Sequence, residues 1–135
     1  MLNAHQRRHF EVLLSELEAA LDRIEALGQS AQRRGVLSVM DDDLPAGFPE
    51  RARPLLDALR AEIARFAGQL GLSQLRRSRR RAVEALILAE TISIDDSSAG
   101  QLRGYGAVDP RFATQVAPAL AGLRRQLLAL GELCR

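Results

Sequence analysis

Five arginines, Arg76, Arg77, Arg79, Arg80 and Arg81, fall within six positions of the stretch SQLRRSRRRAVEALILAE, residues 73–90, and an apolar run follows at once. The guanidinium fork matches the geometry of phosphate and carboxylate oxygens, so a cluster of this kind can grip nucleic acid, hold an acidic partner, or simply form the wet side of a packing helix. All 19 basic residues are arginine. Such usage fits a GC-rich coding sequence as well as it fits phosphate recognition. No aromatic side chain interleaves the run and aromatic content is 4%, which removes base stacking and leaves a phosphate-driven, sequence-independent mode if nucleic acid is the ligand.

The other chemistry-bearing groups are sparse. His5 and His9 stand four residues apart, a spacing at which two imidazoles on one helical face can share a metal, and a bundle fold brings Cys134 toward the same end. A buried thiol in a core stripe accounts for Cys134 equally well, and no metal or cofactor is expected. Asp41, Asp42, Asp43, Asp95 and Asp96 lie in two connections. They can supply oxygen ligands to a divalent cation, or more simply can cap helices and turns, Asp43 capping a turn that begins at Leu44 and Pro45. Serine, histidine and carboxylate do not recur in any nucleophile and base pattern, and no glycine-rich phosphate loop with its lysine is present. An enzyme is therefore not expected. In the segment LRGYG, residues 102–106, two glycines flank the only tyrosine, Tyr105. That arrangement lets the ring fold back as a plug on the end of the molecule or stand out as a recognition loop.

The elements that carry these groups read as helices throughout. Asn3 with Gln6 three residues later makes a capping box, and Phe10, Leu13, Leu14, Leu17, Leu21, Ile24 and Leu27 follow at helical spacing before Gly28. Residues 28–50 hold glycines, two prolines and three consecutive aspartates, and predict a long connection with at most a short helical turn. A second helix starts near Pro49, with Pro54 tolerated within its first turn, and ends at Gly71. A third is predicted from about Gln74 to Ile94, followed by the glycine-rich loop. Asp109 and Pro110 start a fourth, which runs through Phe112, Val116, Leu120, Leu123, Leu127, Leu130 and Cys134 with a bend at Pro118. No stretch alternates as a strand. The fold class predicted is all-α, an antiparallel four-helix bundle with a long first connection and a glycine-rich loop before the last helix, forming a single domain over residues 1–135.

Placed on the predicted third helix, Arg79 and Glu90 fall within the apolar stripe and should be partly buried, which calls for partners. Level positions across the hairpin suggest two buried ion pairs, Arg79 with Glu62 and Arg53 with Glu90. Arg76, Arg77, Arg80 and Arg81 then point outward, with like charges repelling at four-residue spacing near a helix N-terminus. An up-down-up-down bundle would gather Arg7, Arg8, Arg135 and these four at one end and the aspartates at the other, polarising the molecule.

In AVEALILAETISI the apolar residues wrap the whole helix, so Leu88 and Ile92 need a cover from the long connection or from another subunit. Composition points to a bacterial-type protein that stays in the cytoplasm: one cysteine, no run approaching the about 20 apolar residues of a membrane span, and no signal-peptide pattern. The function expected is association, as a homo-oligomer and with a protein partner, through Leu88, Ile92 and the Tyr105 loop. The alternative is a nucleic-acid accessory role for Arg76, Arg77, Arg80 and Arg81.

Overall fold

The structure, a computed structural model, describes residues 1–29 and 35–135. Every regular element among them is helical: α1 (Ala4–Gln29), α2 (Phe48–Leu70), α3 (Arg79–Asp95), α4 (Ala99–Leu102), a 3-10 turn (Arg103–Tyr105), α5 (Phe112–Gln115) and α6 (Ala117–Glu132). The all-α class is thereby established. The chain forms two compact units, Met1–Leu75 and Arg76–Arg135, each built around an antiparallel helix pair.

In the first unit α1 begins as its sequence dictates. The Asn3 N–H donates to Gln6 Oε1 at 3.0 Å and the Gln6 N–H donates to Asn3 Oδ1 at 2.9 Å, the reciprocal pair of a capping box. Gly47, at φ 77°, precedes α2, and the Phe48 N–H donates to Pro45 O, so this turn is closed by backbone and not by Asp43. Pro49 occupies the first helical turn, where no N–H is missed, but the helix also runs through Pro54. The expectation that Pro54 must lie in the first turn is corrected: its ring faces solvent, and the carbonyl that lacks an N–H partner belongs to Glu50, itself an exposed residue. At the other end Gly71, at φ 62°, closes α2, with the Gly71 and Leu72 N–H groups donating to Gly68 O and Ala67 O.

Two side chains of α1 fasten that terminus. Arg7 Nη1 donates to Gly71 O at 2.6 Å and the Ser73 N–H donates to Glu11 Oε1 at 3.1 Å. Arg7, expected to join a basic end, instead satisfies carbonyls at the negative end of a helix dipole. The packed centre between α1 and α2 consists of Leu21, Leu56 and Ile63, flanked by Leu14 and Ala52. Phe10 meets Phe66 edge to face with centroids 5.7 Å apart. Phe48 lies over Gly28, where a Cβ would come within 3.1 Å of the ring.

In the second unit α3 packs antiparallel on α6. Ile87 Cδ1 lies 3.7 Å from where a Gly131 Cβ would stand, and Arg124 Nε donates to Asp95 Oδ1 at 3.0 Å. The predicted fourth helix is divided. Val116 separates α5 from α6, and Pro118 sits in the first turn of α6 rather than bending a continuous helix. Proline lacks the N–H that Thr114 O would accept, so the regular ladder restarts beyond Val116.

Candidate interaction surfaces

The arginine run straddles a helix start. Ser78 is the N-cap of α3, its hydroxyl accepting from the Arg81 N–H at 3.2 Å. Arg76 and Arg77 therefore precede the helix, and the predicted start at Gln74 is corrected by five residues. The physical reason is the cap: serine at an extended backbone position supplies the acceptor that the first turn needs, whereas Gln74 cannot. The four-residue repulsions expected between Arg76 and Arg80 and between Arg77 and Arg81 accordingly do not arise within one helix. All five arginines are exposed. Arg79, Arg80 and Arg81 put three positive charges into the first turn of α3, where the dipole disfavours them.

The charges expected to be buried are open instead. Arg79, Glu62, Arg53 and Glu90 are each exposed, and Glu62 pairs with Arg65 one turn along α2. Desolvation, the reason for expecting buried pairs, does not act on any of the four. The error lies in the apolar stripe: α3 buries only Thr91 and half-buries Ile87 and Ile94 against α6. The Thr91 hydroxyl is satisfied by Ile87 O at 2.8 Å, an i−4 bond that lets a polar side chain occupy the packed side.

The rest of α3 carries apolar side chains into solvent. Leu88 is 61% and Ile92 50% exposed, and Leu86 and Val83 stand open on the other flank. On α6 the half-buried Leu120 and Leu127 face α3, while Leu123 and Leu130 are half exposed. Where α3 ends and α6 begins, an open hollow of about 340 Å³ is lined by Ile94, Phe112, Ala117 and Leu120. Its charged groups, Asp95 and Arg124, are bonded to each other.

The remaining expected site residues are dispersed. Tyr105 is 91% exposed, so the plug reading is overturned and its ring is presented to solvent. The 3-10 turn directs it there, with Gly106 at φ 137° turning the chain immediately afterwards. His5 and His9 are exposed, His9 standing edge-on to Phe10, and Cys134 is a half-buried free thiol. Among the described residues no group of three His, Cys, Asp or Glu side chains is arranged to hold a metal. Asp41, Asp42 and Asp43 are exposed. Asp109 accepts from both the side chain and the backbone N–H of Arg111, and those bonds, the side-chain one foremost, hold its carboxyl below the ordinary aspartate value.

Two features escape a reading of helical stripes. On one side of the first unit Arg60 bridges to Asp22 and Glu25 of α1, and the hydrogen bond to Glu25, then that to Asp22, raises its guanidinium above the ordinary value. On the opposite side Leu13, Leu17, Ile24 and Leu27 of α1, with Leu55 and Leu59 of α2, stay exposed. Position around each helix places these six together: all lie on the flank away from Arg60 once the Leu21, Leu56 and Ile63 contact is fixed. In sequence the α1 residues form one apolar stripe at helical spacing, and spacing alone does not say whether such a seam is closed within the chain.

No known family model, curated protein or solved structure matches this chain.

Proposed function

We propose that the protein is a non-catalytic helical scaffold that works by associating with itself and with protein partners through its uncovered apolar helix faces. The observation that carries this reading is an imbalance. Among the described residues the buried hydrophobic ones are Leu21, Leu56 and Ile63, while large apolar side chains stand open on α1, α2, α3 and α6. Contiguous exposed apolar surface marks an interaction site, because scattered single residues account for only part of such exposure in a monomer. Four-helix packing belongs to the same reading: each hairpin contributes two helices, and the surface that covers it contributes the others. The Tyr105 ring, presented on a tight turn, suits the rim of a contact with its apolar body and polar tip. A cytoplasmic setting, in which the Cys134 thiol remains reduced, is part of the proposal.

Leu88 and Ile92 provide its test. Sedimentation velocity of the wild-type chain at 10–100 micromolar, on the order of the concentrations at which weak homo-oligomers populate, is expected to show species heavier than 14.8 kDa. The Leu88→Glu, Ile92→Glu double variant should shift to lighter species at matched concentration. A wild-type chain that sediments as a monomer throughout would defeat the reading.

A second reading rests on the exposure of Arg76, Arg77, Arg80 and Arg81 around the start of α3. Repeated in an oligomer, that cluster forms a multivalent surface for nucleic-acid phosphates. Binding of a DNA duplex across a salt series should then show a log–log slope of about −3 or steeper, abolished by changing the four arginines to glutamine. Absence of binding at low salt would retire it.

A further inference from the structure

We infer that the uncovered face of the first unit is closed by a second copy of the same face, with α1 packed antiparallel on α1 of the other copy. This deepens the proposed self-association and rests on it. Leu13, Leu17, Ala20, Ile24 and Leu27 recur along α1 at spacings of four and three, the seam of a coiled coil. The same helix meets α2 through a different line, Leu14 and Leu21, so the seam is not consumed within the hairpin.

The seam is self-complementary when reversed. Antiparallel pairing that sets Leu17 beside Ala20 of the second copy also sets Leu13 beside Ile24 and Phe10 beside Leu27, and each contact occurs twice about the two-fold axis. Ala20, the small residue near the middle, lets the two helices approach. In this register Glu16 and Arg23, exposed and one heptad apart on the outer edge of the seam, face each other across the axis. The edge charges thus meet as opposite pairs in the antiparallel arrangement, whereas in a parallel one Glu16 and Arg23 would face Leu21 and Gly28 of the other copy and find no charged partner, which favours the antiparallel orientation.

Area is consistent with a stable contact. Six side chains per copy, Leu13, Leu17, Ile24, Leu27, Leu55 and Leu59, are 39–68% exposed. Two copies together offer on the order of 600 Å² of apolar surface, the apolar share of an interface of about 1,000 Å². Leu55 and Leu59 extend the contact onto α2, so the product is an intermolecular four-helix bundle in which the Arg60 bridge stays on the outside.

Charge exchange tests the register without touching the packed centre. Full-length wild type, Arg23→Glu, Glu16→Arg and the double exchange are compared by sedimentation velocity at low and high salt. Either single variant should weaken the dimer roughly tenfold at low salt, and the double exchange should restore it to within about threefold of wild type. High salt should shrink these differences. If the wild type self-associates but all four proteins behave alike, or the double exchange is no better than the singles, the α1 pairing is overturned and self-association through Leu88 and Ile92 still stands. A monomeric wild type overturns both, leaving the face to be covered by the rest of its own chain or by a different protein.

Discussion

Replacing Ile63 by alanine is expected to destabilise the first unit by about 2–4 kcal/mol, the range for emptying a packed aliphatic site. Ile63 is 6% exposed and, among the described residues, shares the centre of the hairpin with buried Leu21 and Leu56 and half-buried Leu14 and Ala52. With so few buried side chains, there is little neighbouring apolar mass to relax into the space. A small core rarely leaves more than about 5 kcal/mol of net stability, so this one substitution consumes most of it. Amide hydrogen exchange should show α1 and α2 losing protection together, while Val36→Ala, at a position 99% exposed, should leave their protection within about 0.5 kcal/mol of wild type. Equal losses for the two variants would mean that the burial described for the hairpin does not hold it together.

The second large effect concerns concentration. If apolar faces are closed only on association, folding and assembly are one equilibrium, and the thermal midpoint must rise with protein concentration. For a dimer of two 135-residue chains, unfolding entropy at ordinary per-residue values converts a hundredfold rise in concentration into a midpoint shift of about 5 °C. A monomer whose helices are stabilised internally shows none. Differential scanning calorimetry between about 2 and 200 micromolar covers the range in which nanomolar to micromolar dimers differ in population, and a constant midpoint would speak against coupled folding and assembly.

Local chemistry made part of this architecture legible in the sequence. The Asn3 and Gln6 capping box, the proline at the start of α2 and Gly71 at its end each act within one turn, and each is found where residue type demands it. The seams of α1 and α2 were legible for the same reason: spacing reports a helix face. What that face meets is decided elsewhere in the molecule. The apolar wrap of α3 calls for a cover on Leu88 and Ile92 from the long connection or from another subunit; α3 packs through one line, Ile87, Thr91 and Ile94, and Leu88 and Ile92 stay open among the described residues.

Arg79 and Glu90 lie in a stripe that the helix does not bury, which the spacing of apolar residues does not reveal. The start of α3 lies five residues beyond the predicted Gln74 because Ser78, whose hydroxyl fixes the first turn by a single bond, leaves no mark on helical spacing. Arg7, read as part of a basic end, is spent on Gly71 O, a contact between residues far apart in the chain that no local pattern encodes.

Sedimentation equilibrium of the unmodified chain bears most directly on the central claim that its apolar helix faces are surfaces for association. The account predicts a mass above 14.8 kDa that falls on dilution, in steps set by a dimer as the smallest assembled unit. A single species of 14.8 kDa at every concentration, with stability to match, would contradict it.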